Sequence, residues 1–166
     1  MIFAAGFGTR LKPLTDTCPK ALVKVGDKPM LQHTIEHLKQ HGFDEIIINV
    51  HYLGNQIIDF INQHTSFGIR IEISDETDRI LETGGGLLNA QHFFNDGQPF
   101  LVCNADVFTN INLTKFYQSH LAQNAIASLA VRNRKSSRVL LFDEKNSLCG
   151  WQNFKNEEMK FPSVFG

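Results

Sequence analysis

EIIINVHYLGNQIIDFINQHTSFGIRIEIS, Glu45–Ser74, changes its hydrophobic period twice. Ile46, Ile47, Ile48 and Val50 make a short apolar run, the mark of a buried strand. From Gly54 the apolar side chains Ile57, Phe60 and Ile61 fall at helical spacing. IRIEIS then alternates apolar with polar, as a strand does.

The same alternation extends outward in both directions. IFAA reads as a short buried strand. In PMLQHTIEHLKQHG, Pro29 suits a first helical position and Gly42 the residue after the end, while Leu31, Ile35 and Leu38 share a face. Beyond the polar stretch Asp75–Leu81, ETGGGLLNAQHF reads as a loop opening a short helix, and PFLVC as another buried strand. Asn112 can cap a helix whose face is Leu113, Phe116, Tyr117 and Leu121. AIASLAV, RVLLF and LCGW read as strands, with EKNS as a turn. The pattern predicts an α/β, Rossmann-like fold: a mostly parallel central sheet with helices on both faces. In such sheets ligands bind beyond the carboxyl ends of the strands.

At 166 residues and 42% hydrophobic content, one domain with a substantial core is expected. The net charge of −1 speaks against a broad grip on nucleic acid. Its distribution is uneven: residues 1–28 carry +3 and the remainder −4. A local positive region on a nearly neutral chain suits a small anion. Cys18, Cys103 and Cys149 are widely spaced and form no C-x-x-C, which points to a reducing compartment. No apolar run is long enough to span a membrane, and MIFAA is too short for a signal-peptide core. A soluble cytoplasmic protein is the expectation.

The positive region centres on AAGFGTRLKPLTDTCPKALVKV, Ala4–Val25, directly after the first strand. Gly6 and Gly8 allow the backbone to turn and present N–H groups to an anion. Arg10 offers a planar fork of donors, and Lys20 a compact charge behind the restraining Pro19. A dinucleotide fingerprint would need glycine where Leu11 stands, and no Walker A string occurs. Taken singly, the glycines could be turns and Asp106 could serve only the loop N–H groups. Together, at one end of the sheet, they form a candidate phosphate site.

AAGFGTRLKPLTDTCPKALVKVGDKPML resembles the signature of the sugar-1-phosphate nucleotidyltransferases, and EIIINVHYLGNQI, FGIRIEIS, LETGGGLLNA and FLVCNADVFT continue it over most of residues 2–109. ETGGG is most similar to the N-acetylmuramate-1-phosphate uridylyltransferase branch and its mannose-1-phosphate guanylyltransferase-like relatives. The resemblance implies nucleotidyl transfer from a nucleoside triphosphate, UTP favoured, to a sugar 1-phosphate, in nucleotide-sugar biosynthesis serving the cell wall. GTP use, or a non-catalytic regulatory module, is the alternative. It implies catalytic roles for Arg10 and Lys20, and nucleotide binding by Ala5, Gly6, Gly8, Thr9, Glu82, Thr83, Gly84 and Gly85. Asn104 would meet the sugar phosphate and Asp106 would bind Mg²⁺. No nucleic acid or membrane partner is implied, and the oligomeric state is open. One nucleotidyltransferase domain over residues 1–166 is expected, lacking its C-terminal part, because the family's second metal carboxylate has no match here.

One rival motif is present. HTIEH, His33–His37, matches H-x-x-E-H of the inverted zinc peptidases, and His41 extends the stripe. These histidines lie opposite Leu31, Ile35 and Leu38, where a solvated face is expected.

Overall fold

In the computed structural model, which describes residues 1–123 and 125–160, the strand–helix alternation is present in the expected order. Strand β1 (Ile2–Phe3) leads into the basic loop, and β2 (Lys24–Val25) pairs with β3 (Lys28–Pro29) in a small antiparallel hairpin. Then come α1 (Met30–Gln40), β4 (Glu45–Val50), α2 (Gly54–Gln63) and β5 (Arg70–Asp75). Helix α3 (Glu82–Asn89), β6 (Cys103–Asn104) and α4 (Leu113–Ala122) complete one compact unit, Met1–Ala127. The other unit, Ser128–Gly166, carries β7 (Arg138–Phe142), β8 (Leu148–Asn153) and β9 (Glu158–Lys160) as an antiparallel meander.

The main sheet has the order β5-β4-β1-β6, and every pairing in it is parallel. The chain builds outward from β1 through β4 to β5, then returns to add β6 on the other side of β1. That reversal places the carboxyl ends of β1 and β6 side by side, where open α/β sheets bind ligands.

Strand alternation divides the apolar residues between two faces. Ile2, Ile46, Ile48 and Val50 pack with Leu31, Ile35 and Leu38 of α1, Ile57 and Ile61 of α2 and Leu113 of α4. Met1, Ile47 and Phe3 point the other way, against Leu87 of α3, Ala90, Phe93 and Phe94. Helical segments therefore cover both faces. Ile48 lies on the central strands at 0% exposure. Ile48→Ala should lower the unfolding free energy by about 2–5 kcal/mol, read from urea midpoints. Exposed Gln118→Ala should change it by no more than about 0.5 kcal/mol.

Several local expectations give way to tertiary context. Pro29 precedes α1 and belongs to the hairpin, its φ of −59° and ψ of 150° being extended rather than helical. Gly42 follows the helix end as expected, in the left-handed region at φ 84°. PFLVC is strand only at its end, in β6, which pairs with β1 alone among the described residues; Phe100 and Val102 stay 44% and 41% exposed. Residues 125–131, AIASLAV, form no strand: apolar side chains alone do not make one without a partner backbone to pair with, and none pairs with them among the described residues. Leu121 is exposed rather than on the packed face of α4. RVLLF and LCGW are strands, joined by the turn in which Asn146 N–H donates to Asp143 O.

The histidine stripe of α1 is half-buried and hydrogen-bonded rather than freely solvated. His33 Nε2 bonds Val25 O (2.9 Å), His37 Nε2 bonds Ile111 O (3.0 Å), and His41 Nδ1 meets Thr114 Oγ1 (2.9 Å). The stripe pins α1 to the β2–β3 hairpin and to the segment entering α4. Among the described residues, no group of three or more His, Cys, Asp or Glu is placed to hold a metal ion, and no helix is long and apolar enough to cross a membrane.

Candidate functional site

Strand β1 ends where a side chain replaces the ladder: Ala4 N–H donates to Asn49 Oδ1 at 2.8 Å. The chain is thereby released into the loop Ala5–Pro19. Gly8 adopts φ 65°, and a Cβ there would lie 2.9 Å from Thr15 Cγ2 and 3.0 Å from Lys20 Cβ. Glycine is required twice over, for the conformation and for the approach of the Lys20 stem. Buried Thr15 closes the turn by donating to Gly8 O at 2.9 Å. From the outer side, Tyr52 Oη–H donates to Asp16 O (2.9 Å) and Gln56 Nε2–H to Thr17 O (3.1 Å). Phe7 lies edge-on to His51, with ring centroids 5.2 Å apart. The loop is thus held on three sides. Burial pushes the Cys18 thiol up.

Two oppositely charged side chains meet across the gap between β1 and β6. Lys20 Nζ donates to Asp106 Oδ2. Asp106 follows buried Ala105, whose N–H donates to Phe3 O at 3.0 Å and keeps this loop in register with β1. Both side chains remain about one-third exposed, open to a ligand.

The third wall is the entry of α3. The expected loop is helix from Glu82 onward, so Gly84, Gly85 and Gly86 are helical residues. Gly86 has a local reason: a Cβ would sit 2.6 Å from Glu76 Oε1 and 3.0 Å from Asn49 Nδ2. Gly85 would crowd Leu81 Cβ at 3.0 Å, whereas a Cβ on Gly84 would meet open space. Glu82 itself takes a left-handed φ of 59°, an unusual state for a non-glycine residue and one that recurs at ligand clamps.

These three walls enclose a pocket of about 210 Å³. Of the residues expected from sequence, it brings together Ala5, Gly6, Lys20, Glu82, Thr83, Asn104 and Asp106. Gly8 stands behind Lys20 rather than in the lining. Thr9 and Arg10 lie farther along the loop in an exposed 3-10 turn, and Gly84 and Gly85 also lie outside the lining. Asn49 and Glu76 line the pocket and were not anticipated, although they are 2% and 3% exposed. The signal for Asn49 was its amide within the apolar run IIINV; Glu76 left only its position just past IEIS.

The loop backbone and the Lys20 ammonium face the same cavity as the carboxylates of Asp106, Glu76 and Glu82, and backbone N–H groups with an ammonium are suited to holding a phosphate ester. A family model described as nucleotidyl transferase matches residues 1–139. The N-acetylmuramate alpha-1-phosphate uridylyltransferase of Neisseria meningitidis serogroup B is 46% identical over 119 residues, which cover 72% of this chain and 51% of that protein. A probable mannose-1-phosphate guanylyltransferase 2 of Arabidopsis thaliana is 40% identical over 137 residues, 79% of this chain and 37% of that one. The chain thus spans about half, or less, of the length of these relatives. HddC from Yersinia pseudotuberculosis, solved with GMP-PN, superposes with a TM-score of 0.70 at 26% identity, covering 90% of this chain and 66% of that structure.

Proposed function

The chain belongs to the nucleotidyl transferase family, and on that basis we propose that it transfers a nucleotidyl group from a nucleoside triphosphate, UTP in preference, to a sugar 1-phosphate. The observation that carries this reading is the convergence of Lys20 and Asp106 with the Gly6 loop where the strand order reverses. In the reaction a sugar-phosphate oxygen attacks the α-phosphorus in line. The bond from that phosphorus to the β-phosphate bridge breaks, and pyrophosphate leaves with the electron pair. Both partners are anions, so the protein's task is positioning and charge neutralisation.

The roles proposed are those the family resemblance implies, with Ala5, Gly6, Lys20, Glu82, Thr83, Asn104 and Asp106 lining the pocket itself. The backbone of Ala5, Gly6, Gly8 and Thr9 cradles the triphosphate, and Arg10, which no side chain engages among the described residues, reaches over the departing pyrophosphate. Lys20 neutralises the α-phosphate, and Asn104 meets the sugar phosphate. Glu82, Thr83, Gly84 and Gly85 at the α3 entry border the base and ribose.

Magnesium fits the donor set: Asp106 is a partly exposed carboxylate engaged by Lys20 alone among the described residues, and Mg²⁺ takes few protein ligands, keeping waters and phosphates. When bound, it would supply charge neutralisation and orientation of the phosphates. Three cysteines without a disulfide suit a cytoplasmic setting. The nucleoside diphosphate sugar formed would serve cell-wall synthesis.

A guanosine reading is favoured by the guanylyltransferase relative and by GMP-PN in HddC. Against it stands the higher identity to a uridylyltransferase. Titration calorimetry with Mg²⁺ should find UTP bound more tightly than GTP. GTP binding tenfold tighter, a difference of about 1.4 kcal/mol, would reverse the choice of base.

A further inference from the structure

Asn49 and Glu76 form a buried polar connection that the roles above leave unused. Asn49 Oδ1 accepts from Ala4 N–H at 2.8 Å, and Asn49 Nδ2–H donates to Glu76 Oε1 at 2.8 Å. Glu76 Oε2 in turn accepts from Leu81 N–H at 3.2 Å, while Glu76 N–H donates to Val50 O at 2.8 Å. One chain of hydrogen bonds therefore runs from Ala4, the residue before the phosphate loop, to Leu81, the residue before α3. It ends one residue before Glu82, the pocket residue held at φ 59°. Gly86 leaves room for it, since a Cβ there would press on both side chains.

We propose that Asn49 and Glu76 are positioning residues that couple the phosphate loop to the α3 entry, so that both walls of the pocket are set for one nucleotide. The proposal rests on the nucleotide-binding reading of that pocket. The reasons are chemical. Each polar atom of these buried side chains has one assigned partner, and buried polar groups are costly when left unpaired. The connection also has a direction, because every donor and acceptor in it is fixed by a backbone N–H at each end. Loosening it should free the turn at Leu81–Glu82 and the exit of β1 together. Neither side chain needs to touch the ligand for this to weaken binding.

That directionality supplies the test. Glu76→Gln keeps the size but leaves one acceptor oxygen for two donors, Asn49 Nδ2–H and Leu81 N–H. Asn49→Asp keeps the acceptor for Ala4 N–H and sets two carboxylates against each other. In the double variant Asn49→Asp/Glu76→Gln the inner pair exchanges donor and acceptor, and all three links can form again. UTP with Mg²⁺ is titrated into each protein by calorimetry, well below its melting temperature. Each single substitution should weaken binding about tenfold, and the double should return to within about threefold of the parent. Lowered melting temperatures with parental affinity in the singles would overturn the proposal, reducing the connection to a structural role. If neither single folds, Gly86→Ala, which crowds the intact pair, is read in the same way: parental affinity overturns the proposal, and a tenfold loss supports it. A parent chain that binds none of the four common nucleoside triphosphates would instead overturn the nucleotide reading itself.

Discussion

Asp106→Asn is expected to lower turnover by about a hundredfold or more while moving the melting temperature by only a few degrees. The two effects separate because of where the carboxylate sits. Asp106 is partly exposed, follows the buried Ala105 that fixes its loop, and has Lys20 as its partner. Exposed ion pairs contribute little to stability, so removing this charge leaves the sheet and both cores untouched. In the proposed reaction, however, the same carboxylate would hold Mg²⁺, which would supply charge neutralisation at the phosphates. Asparagine preserves the shape and one oxygen but not the charge that holds a hard cation. Steady-state rates across a magnesium titration, with thermal melts alongside, measure both effects. Unchanged magnesium-dependent turnover would remove Asp106 from the site.

Lys20→Ala should reduce kcat/KM by roughly a hundredfold, the scale for losing one preorganised charge at a developing negative centre. Its stem packs close to Gly8, and its ammonium meets Asp106 in the pocket lining. Because Lys20 and Asp106 touch, and in the proposed reaction would act on the same phosphate, their losses should not multiply. The double variant Lys20→Ala/Asp106→Asn should fall well short of the product of the single effects. Full multiplicativity would mean that the two side chains serve separate steps.

The parts of the fold legible in the sequence are those governed by local period. Leu31, Ile35 and Leu38 fall on one helical face and are buried; Ile46 to Val50 read as a buried strand and are one. Such residues are decided by which side faces the core, and spacing carries that information. PFLVC has the same composition as a buried strand, but its having one paired neighbour among the described residues is a property of topology, absent from the local pattern. The glycines at 84–86 suggested a loop because glycine disfavours helix. Only the folded neighbourhood shows that Gly86 is small to make room for Glu76 and Asn49. Those two side chains are 27 positions apart and become partners only when β4 and β5 align. The histidines of α1 show the converse: their helical face was clear, but their partners at Val25, Ile111 and Thr114 come from other elements. Lys20 was legible as a candidate from the basic loop and the Pro19 before it, and Asp106 from its place just beyond FLVC. Their contact across 86 positions was not.

In the proposed reaction the pocket between β1, β6 and α3 directs a sugar phosphate onto the α-phosphorus of a nucleoside triphosphate. The most direct test of this proposal is pyrophosphate release, followed with each of four nucleoside triphosphates against a panel of sugar 1-phosphates. Magnesium-dependent release should require both substrates and match the nucleoside diphosphate sugar formed one for one, with UTP giving the highest rate. Release of orthophosphate, release without the sugar phosphate, or no release from any pair would contradict it.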